Sequence, residues 1–189
     1  MQPRENNNAI KQFIRKITIF WQINFLVGVL LYGVSFLHKL QFNPSPKILT
    51  YFAPLDLTIF AIAVILAVII FRMKRKLFSQ RSLRLKLEEL YQKNPDLDEA
   101  GLLRLLLDDT APQMKRVWIM GTAIILVGVV LYWWTFLSRN MHIYFIVGLY
   151  SLMMNYPRKD LFLELPYLVH ETIRDFGLKT GEENSAEEL

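Results

Sequence analysis

Four stretches of this chain have no charge near their middle and are long enough, or nearly so, to cross a lipid bilayer. That constraint comes before any motif. A hydrocarbon core about 30 Å thick takes roughly 20 residues of α-helix at 1.5 Å each. Residues 17–37 and 117–137 carry no charge at all, and 52–71 carry only Asp56, close to the start. The fourth stretch, 141–156, has 16 residues and stops at Pro157, Arg158 and Lys159. It must span a thinned bilayer or lean on protein neighbours. Backbone in hydrocarbon must satisfy its own hydrogen bonds, so four such runs predict an all-α integral membrane protein with four transmembrane helices. The polar residues 1–16, with Asn6, Asn7 and Asn8 in a row, precede an apolar run without a small-residue cleavage site; it reads as a retained helix and not a signal peptide.

The placement of lysine and arginine gives the orientation, because cytoplasmic loops accumulate them. Four lie in 1–16, eleven in 72–116 and four from Pro157 onward, whereas the opposite loops hold only Lys39, Lys47 and Arg139. Nineteen against three puts both termini in the cytoplasm, in a multi-pass protein of the plasma or inner membrane. Trp21 and Trp118 fall near the inner boundary and Trp133 and Trp134 towards the outer one, as an aromatic belt would place them.

Self-similarity refines the picture. Residues 26–39 match 126–139 without a gap, and eight of the fourteen positions are identical. Arg15 and Lys16 lie opposite Lys115 and Arg116 at the same offset of 100, and 74–78 resembles 158–162 at an offset of 84. Two hairpins, 17–71 and 117–156, then form parallel repeats about an axis along the membrane normal, unlike the inverted repeats common in transporters. Membrane helices also draw on few residue types, which produces chance coincidences of Leu, Val and Gly.

Between the hairpins, the cytoplasmic loop 72–116 reads as an amphipathic helical hairpin. Over 77–93, Leu83, Leu87, Leu90 and Tyr91 share one helical face, with Arg81, Arg84 and Lys86 around the rest. That face covers the inner end of the bundle, lies on an anionic leaflet or docks a partner helix; each basic residue near such a leaflet contributes about 1 kcal/mol. Asn94 suits an N-cap, Pro95 the first helical position, and Asp96, Asp98 and Glu99 the positive end of a helix dipole, predicting a second helix over 95–109 that ends at Ala111 and Pro112. Its Leu102, Leu103, Leu105, Leu106 and Leu107 are apolar nearly all round and require a cover. The expected partner-binding set is Leu83, Leu87, Leu90, Leu102, Leu103 and Leu106. Arg72, Lys74, Arg75, Lys76, Arg81 and Arg84 are expected to face anionic lipid.

Residues 157–178 predict an interfacial amphipathic helix with Leu165, Leu168, Val169, Ile173 and Phe176 on one face and a stop at Gly177. The acidic, polar segment 179–189 predicts disorder. Tail and central loop have net charges of −4 and +4, an attraction that is weak for any single exposed pair.

Few residues offer chemistry. The chain has no cysteine, which excludes disulfides, thiolate metal sites and cysteine nucleophiles. No ionisable group lies mid-span, where one usually marks a function. Asp56, His38 and His142 sit at the outer ends of spans and are metal-ligand types, but an aspartate near a helix start and two interface histidines account for them as well. His170, beside Glu171, has no nucleophile or further ligand at diagnostic spacing. Gln22, Asn24, Ser35, Thr122, Ser151 and Asn155 suit interhelical hydrogen bonds, and Gly28, Gly121, Gly128 and Gly148 close helix approach. No phosphate loop, zincin motif or zinc pattern occurs, and membrane topology explains the basic charge better than nucleic acid does. The sequence therefore predicts a non-enzymatic subunit or adaptor, without cofactor, whose partners are membrane lipid and other membrane or cytoplasmic protein subunits. The alternatives are an oligomeric transporter or channel for a small or lipid-like solute and, third, a membrane enzyme acting on lipid.

Overall fold

The computed structural model describes the backbone of residues 3–47, 52–77, 79–157 and 159–187, and side chains between Asn8 and Phe176 apart from those of 48–53, 55, 75–78, 80, 158 and 161. All secondary structure among these residues is helical: α1 (Pro3–Phe42), α2 (Phe52–Leu77), α3 (Gln80–Lys93), α4 (Glu99–Thr135), α5 (Ser138–Met154), α6 (Lys159–Leu163) and α7 (Leu165–Glu187). Three of them, over Asn8–Phe42, Asp56–Lys74 and Glu99–Thr135, are long and apolar enough to cross a membrane. The chain forms two compact units, one of residues 1–16, 76–113 and 158–189, the other of 17–75 and 114–157.

The first unit gathers three separate stretches of chain around a shared apolar core. From α1 come the buried Ile10 and Ile14, one turn apart; from α3, Leu83 and Leu87; from α4, Leu102, Leu103, Leu106 and Leu107. Phe162 of α6 and Leu165, Val169 and Thr172 of α7 complete it, the last three spaced i, i+4, i+7 on one helical face. Rings of distant segments meet, Phe13 with Phe162 at 5.3 Å and Tyr91 with Phe176 at 5.6 Å. Charges fasten the rim: Arg84 to Asp175 at 3.0 Å, Lys86 to Asp109, and His170 to Glu99 at 2.7 Å. These pairs are exposed, so the leucine core outweighs them.

Several boundaries differ from those the sequence predicts. Asn94 does not start a helix; it ends α3, its N–H bonding the carbonyls of Leu90 and Tyr91. The next helix begins at Glu99, where the Asp98 carboxylate accepts from the Gly101 N–H at 2.9 Å and acts as the cap. The predicted break at Ala111 and Pro112 is absent, and α4 runs on as one helix with Pro112 inside it. Proline in a helix interior costs about 3 kcal/mol. Pro112 is exposed, so its ring meets no neighbouring element, and the buried row Leu103, Leu106, Leu107, Thr110, Met114 and Val117 on both sides of it holds the helix together. The predicted helix over 157–178 is two helices, broken at Glu164, with Pro166 in the first turn of α7 where a missing N–H costs no helical bond. Gly177 does not stop α7, and the segment expected to be disordered is helical to Glu187. A single glycine costs only about 1 kcal/mol, and Lys, Glu and Ala are good helix formers.

In the second unit α4 is the central helix. Half of its apolar window is buried, against 11% for α1 and for α2. Met114, Val117, Trp118, Ile124, Ile125, Leu131 and Tyr132 are all buried. Close approach to α5 depends on glycine: a Cβ on Gly148 would lie 2.7 Å from the Gly121 carbonyl, and one on Gly128 would lie 2.6 Å from the Tyr144 Cβ. Helices in lipid gain little from apolar burial and associate through such small-residue contacts. Gly28, the repeat counterpart of Gly128, approaches Ile125 of α4 instead, so the contact made within the second hairpin is not repeated in the first. The outward faces stay apolar, with Ile19, Ile23, Leu26, Leu30, Val34 and Leu37 forming an exposed stripe along α1.

Gly148→Ala must push α5 from the α4 backbone, and overpacking of this kind costs about 1–3 kcal/mol. At Gly33 a Cβ meets nothing within 4 Å. Thermal unfolding in detergent is expected to show a lowered midpoint for Gly148→Ala and an unchanged or slightly raised one for Gly33→Ala.

Candidate functional site

A helix leaves its last four carbonyls without intrahelical partners, and where water is excluded other protein groups must serve them. At the C-terminal end of α5 two indoles do. Trp21 Nε1 of α1 donates to the Leu152 carbonyl and Trp118 Nε1 of α4 to the Asn155 carbonyl, each at 2.8 Å. Trp118 is fully buried. Asn155 ends the helix, its Nδ2 donating back to the Ser151 carbonyl at 2.7 Å. The Trp21 ring stacks on Phe25 and meets the edge of Tyr156 at 4.9 Å, and Lys115 lies 5.4 Å above the Phe20 ring. Read from sequence, the two tryptophans belong to an interface belt; in the fold their indoles turn inward and cap α5. A tryptophan on each of two other helices is the only trace of this in the sequence, and nothing there says which carbonyl each meets.

Further along, Thr122 of α4 donates towards Asn24 Oδ1 of α1 at 3.2 Å, while Asn24 Nδ2 holds the Phe20 carbonyl at 2.9 Å. At the end of the unit where α4 leads into α5, two tyrosine–histidine pairs cross between elements. Tyr32 of α1 bonds His142 of α5 at 2.9 Å, and His38 of α1 bonds Tyr132 of α4 at 3.0 Å. The Tyr32 ring stacks on Phe145 at 3.7 Å and Trp133 donates to Ser35 at 2.9 Å. Tyr32 and Tyr132 occupy matching positions of the similar stretches 26–39 and 126–139, a signal by which sequence could have linked them. Phe136, in the left-handed region at φ 57°, turns the chain sharply from α4 into α5, and Lys47 lies 4.7 Å above its ring. Asp56 bonds Asn140. Asp56, His38 and His142 thus each have a separate partner, and no three metal-ligating side chains gather among the described residues.

The leucines expected to bind a partner are in the core of the first unit: Leu83, Leu87, Leu102, Leu103 and Leu106 are buried and Leu90 half-buried. A partner cannot reach them while the unit is folded. Of the residues expected to face lipid, Arg72 and Arg81 are exposed and Lys74 is half-buried. Arg84 is committed to Glu88 and Asp175, and the side chains of Arg75 and Lys76 lie outside the described residues. On α3, Lys93 hydrogen-bonds Glu89 at 2.6 Å, and that bond and the lysine charge hold the Glu89 carboxyl below its ordinary value. Sequence reasoning also passed over Ile10, Phe13 and Ile14, whose i, i+3, i+4 spacing in a polar segment marks the face that packs.

Comparison with known proteins finds no family model, no curated protein and no solved structure that matches this chain. The residues alone therefore carry the functional argument. What they build in the second unit is a set of paired polar groups that fix helix positions, with no acid, base and nucleophile brought together among the described residues.

Trp118→Phe keeps the ring and removes the N–H, leaving the buried Asn155 carbonyl unpaired, a loss of about 1–3 kcal/mol. Trp134, exposed and without a hydrogen bond from its ring among the described residues, is the control. Hydrogen exchange over 150–156 is expected to quicken in Trp118→Phe and not in Trp134→Phe, and equal exchange in the two would refute the capping role.

Proposed function

We propose that this chain is a four-span, non-catalytic integral membrane subunit of a larger assembly, with both termini in the cytoplasm. The contact of α3 with α7 is the observation that carries the four-span part of this reading. Segments 1–16, 76–113 and 158–189 are joined by apolar stretches, yet they fold into one compact unit. If α1 and α2 make two crossings and α4 a third, the tail can rejoin the central loop only if α5 crosses back. At 17 residues α5 is about 25 Å long, short for a span, and the indole caps on its last carbonyls are the protein support a short span needs. These three segments hold fourteen of the 22 lysines and arginines, and Arg72, Lys74, Arg75, Lys115 and Arg116 beside them five more, which supports the inside orientation.

The subunit reading rests on surface left uncovered. The α1 stripe and most of α2 face outward, towards lipid or the helices of other subunits. On the compact unit, Leu85, Leu163 and Tyr167 are apolar residues more than half exposed. They replace the buried leucines as the face offered to a protein partner, and of the cations expected to face lipid Arg72, Lys74 and Arg81 are those without an ion pair among the described residues. Absence of a catalytic constellation in the sequence favours a non-enzymatic role.

Leu163→Glu with Tyr167→Glu is expected to release a protein that cross-links to the wild type in its native membrane, while leaving the helix content and melting point of the purified chain unchanged. Leu103→Glu instead buries an unpaired charge and is expected to unfold the unit. A wild type with no cross-linked partner, or a double variant that retains the same partners, overturns the adaptor reading.

A further inference from the structure

The N-terminal parts of α2 and α5 line a cleft of about 590 Å³. Asp56 comes from α2 and Arg139 from α5, and both face this cleft. They do not form an ion pair. One Asp56 carboxylate oxygen accepts from Asn140 Nδ2 at 2.6 Å; among the described residues the other oxygen has no hydrogen-bond partner and Arg139 makes no hydrogen bond or ion pair. Opposite charges that share a cleft without neutralising each other leave room for a group that carries both signs.

The apolar part of the cleft is arranged to match. Phe60 lies one turn beyond Asp56 on α2, and Ile143 one turn beyond Arg139 on α5; both line the cleft and both are exposed. Leu57 adds a third exposed apolar wall. The cleft thus has a charged level at the helix starts and an apolar level one turn along the helices. A free polar zwitterion would satisfy only the first level. An amphiphile satisfies both.

We infer that this cleft seats an aminophospholipid, its primary ammonium on Asp56, its phosphate on Arg139 and an acyl chain along Phe60 and Ile143. A primary ammonium donates hydrogen bonds to the open carboxylate oxygen, which a quaternary choline head cannot do, and a guanidinium matches phosphate with paired donors. The site distinguishes phosphatidylethanolamine from phosphatidylcholine through Asp56 and holds either through Arg139. This inference rests on the proposal that α2 and α5 both cross the membrane.

Native mass spectrometry of the full chain released from mixed micelles tests it, with phosphatidylethanolamine and phosphatidylcholine of identical acyl chains added in equal amounts. Wild type is expected to retain phosphatidylethanolamine about tenfold over phosphatidylcholine. Asp56→Asn brings the two to parity, and Arg139→Gln weakens both. Equal retention by wild type, or an unchanged ratio in Asp56→Asn, overturns the assignment. Displacement of the lipid by glycerophosphoethanolamine at similar concentration also overturns it, since the soluble head would then be sufficient. Carbonate extraction reports membrane integration separately: a wild type that stays in the membrane and shows no preference refutes the lipid site alone, whereas one that is released refutes the spanning reading beneath it.

Discussion

The orphan carbonyls at the end of a helix are the constraint on which the rest of this structure turns. In water they cost little, but at membrane depth each needs a donor from the protein. The α5 helix is short, and its last turn is served by indoles from α1 and α4. Under the proposed four-span topology, those two bonds let α5 end before the full bilayer thickness without stranding its backbone. They also tie three helices together at one level, and the close glycine contacts of α4 with α5 are the complement of this tie.

A consequence follows for the other end of the chain. If the apolar helices cross a membrane, the compact unit of segments 1–16, 76–113 and 158–189 requires all three on one side of it. Under the proposed topology, a short span capped by tryptophan is what brings α7 to the same side as α3. Apolar burial then does most of the work in that unit, with Leu87, Leu102 and Leu106 fully buried, while the exposed ion pairs at its rim define which faces meet.

Much of this fold was legible in the sequence because its strongest signals are physical extremes. Apolar runs near 17–37, 52–71 and 117–137 correspond to α1, α2 and α4, and the helical period of Leu83 and Leu87 marks a buried face. Boundaries were less legible. Pro112 signals a break, but Leu106, Leu107 and Thr110 before it and Met114 and Val117 after it are each buried, and tertiary packing overrides one unfavourable residue. Asn94 and Asp98 are both good caps, and sequence alone cannot choose between them. The leucines of the loop looked uncovered because the residues that pack beside them lie far away in the chain, in α1 and α7. Likewise Trp21 and Trp118 looked like belt residues, since interface depth and a hydrogen bond to another helix are compatible with the same position. The cleft at Asp56 was legible only as isolated polar residues; its two levels exist because α2 and α5 start side by side.

The native chain has no cysteine, so single replacements give clean reporters of sidedness. Ser45→Cys, Arg104→Cys and Arg174→Cys, labelled in sealed vesicles of known orientation with a membrane-impermeant maleimide, test whether α5 returns the tail to the side of the central loop. The account predicts that Cys at positions 104 and 174 reacts from one face, the cytoplasmic one, and at position 45 only from the other. Labelling of positions 45 and 174 from the same face would contradict it.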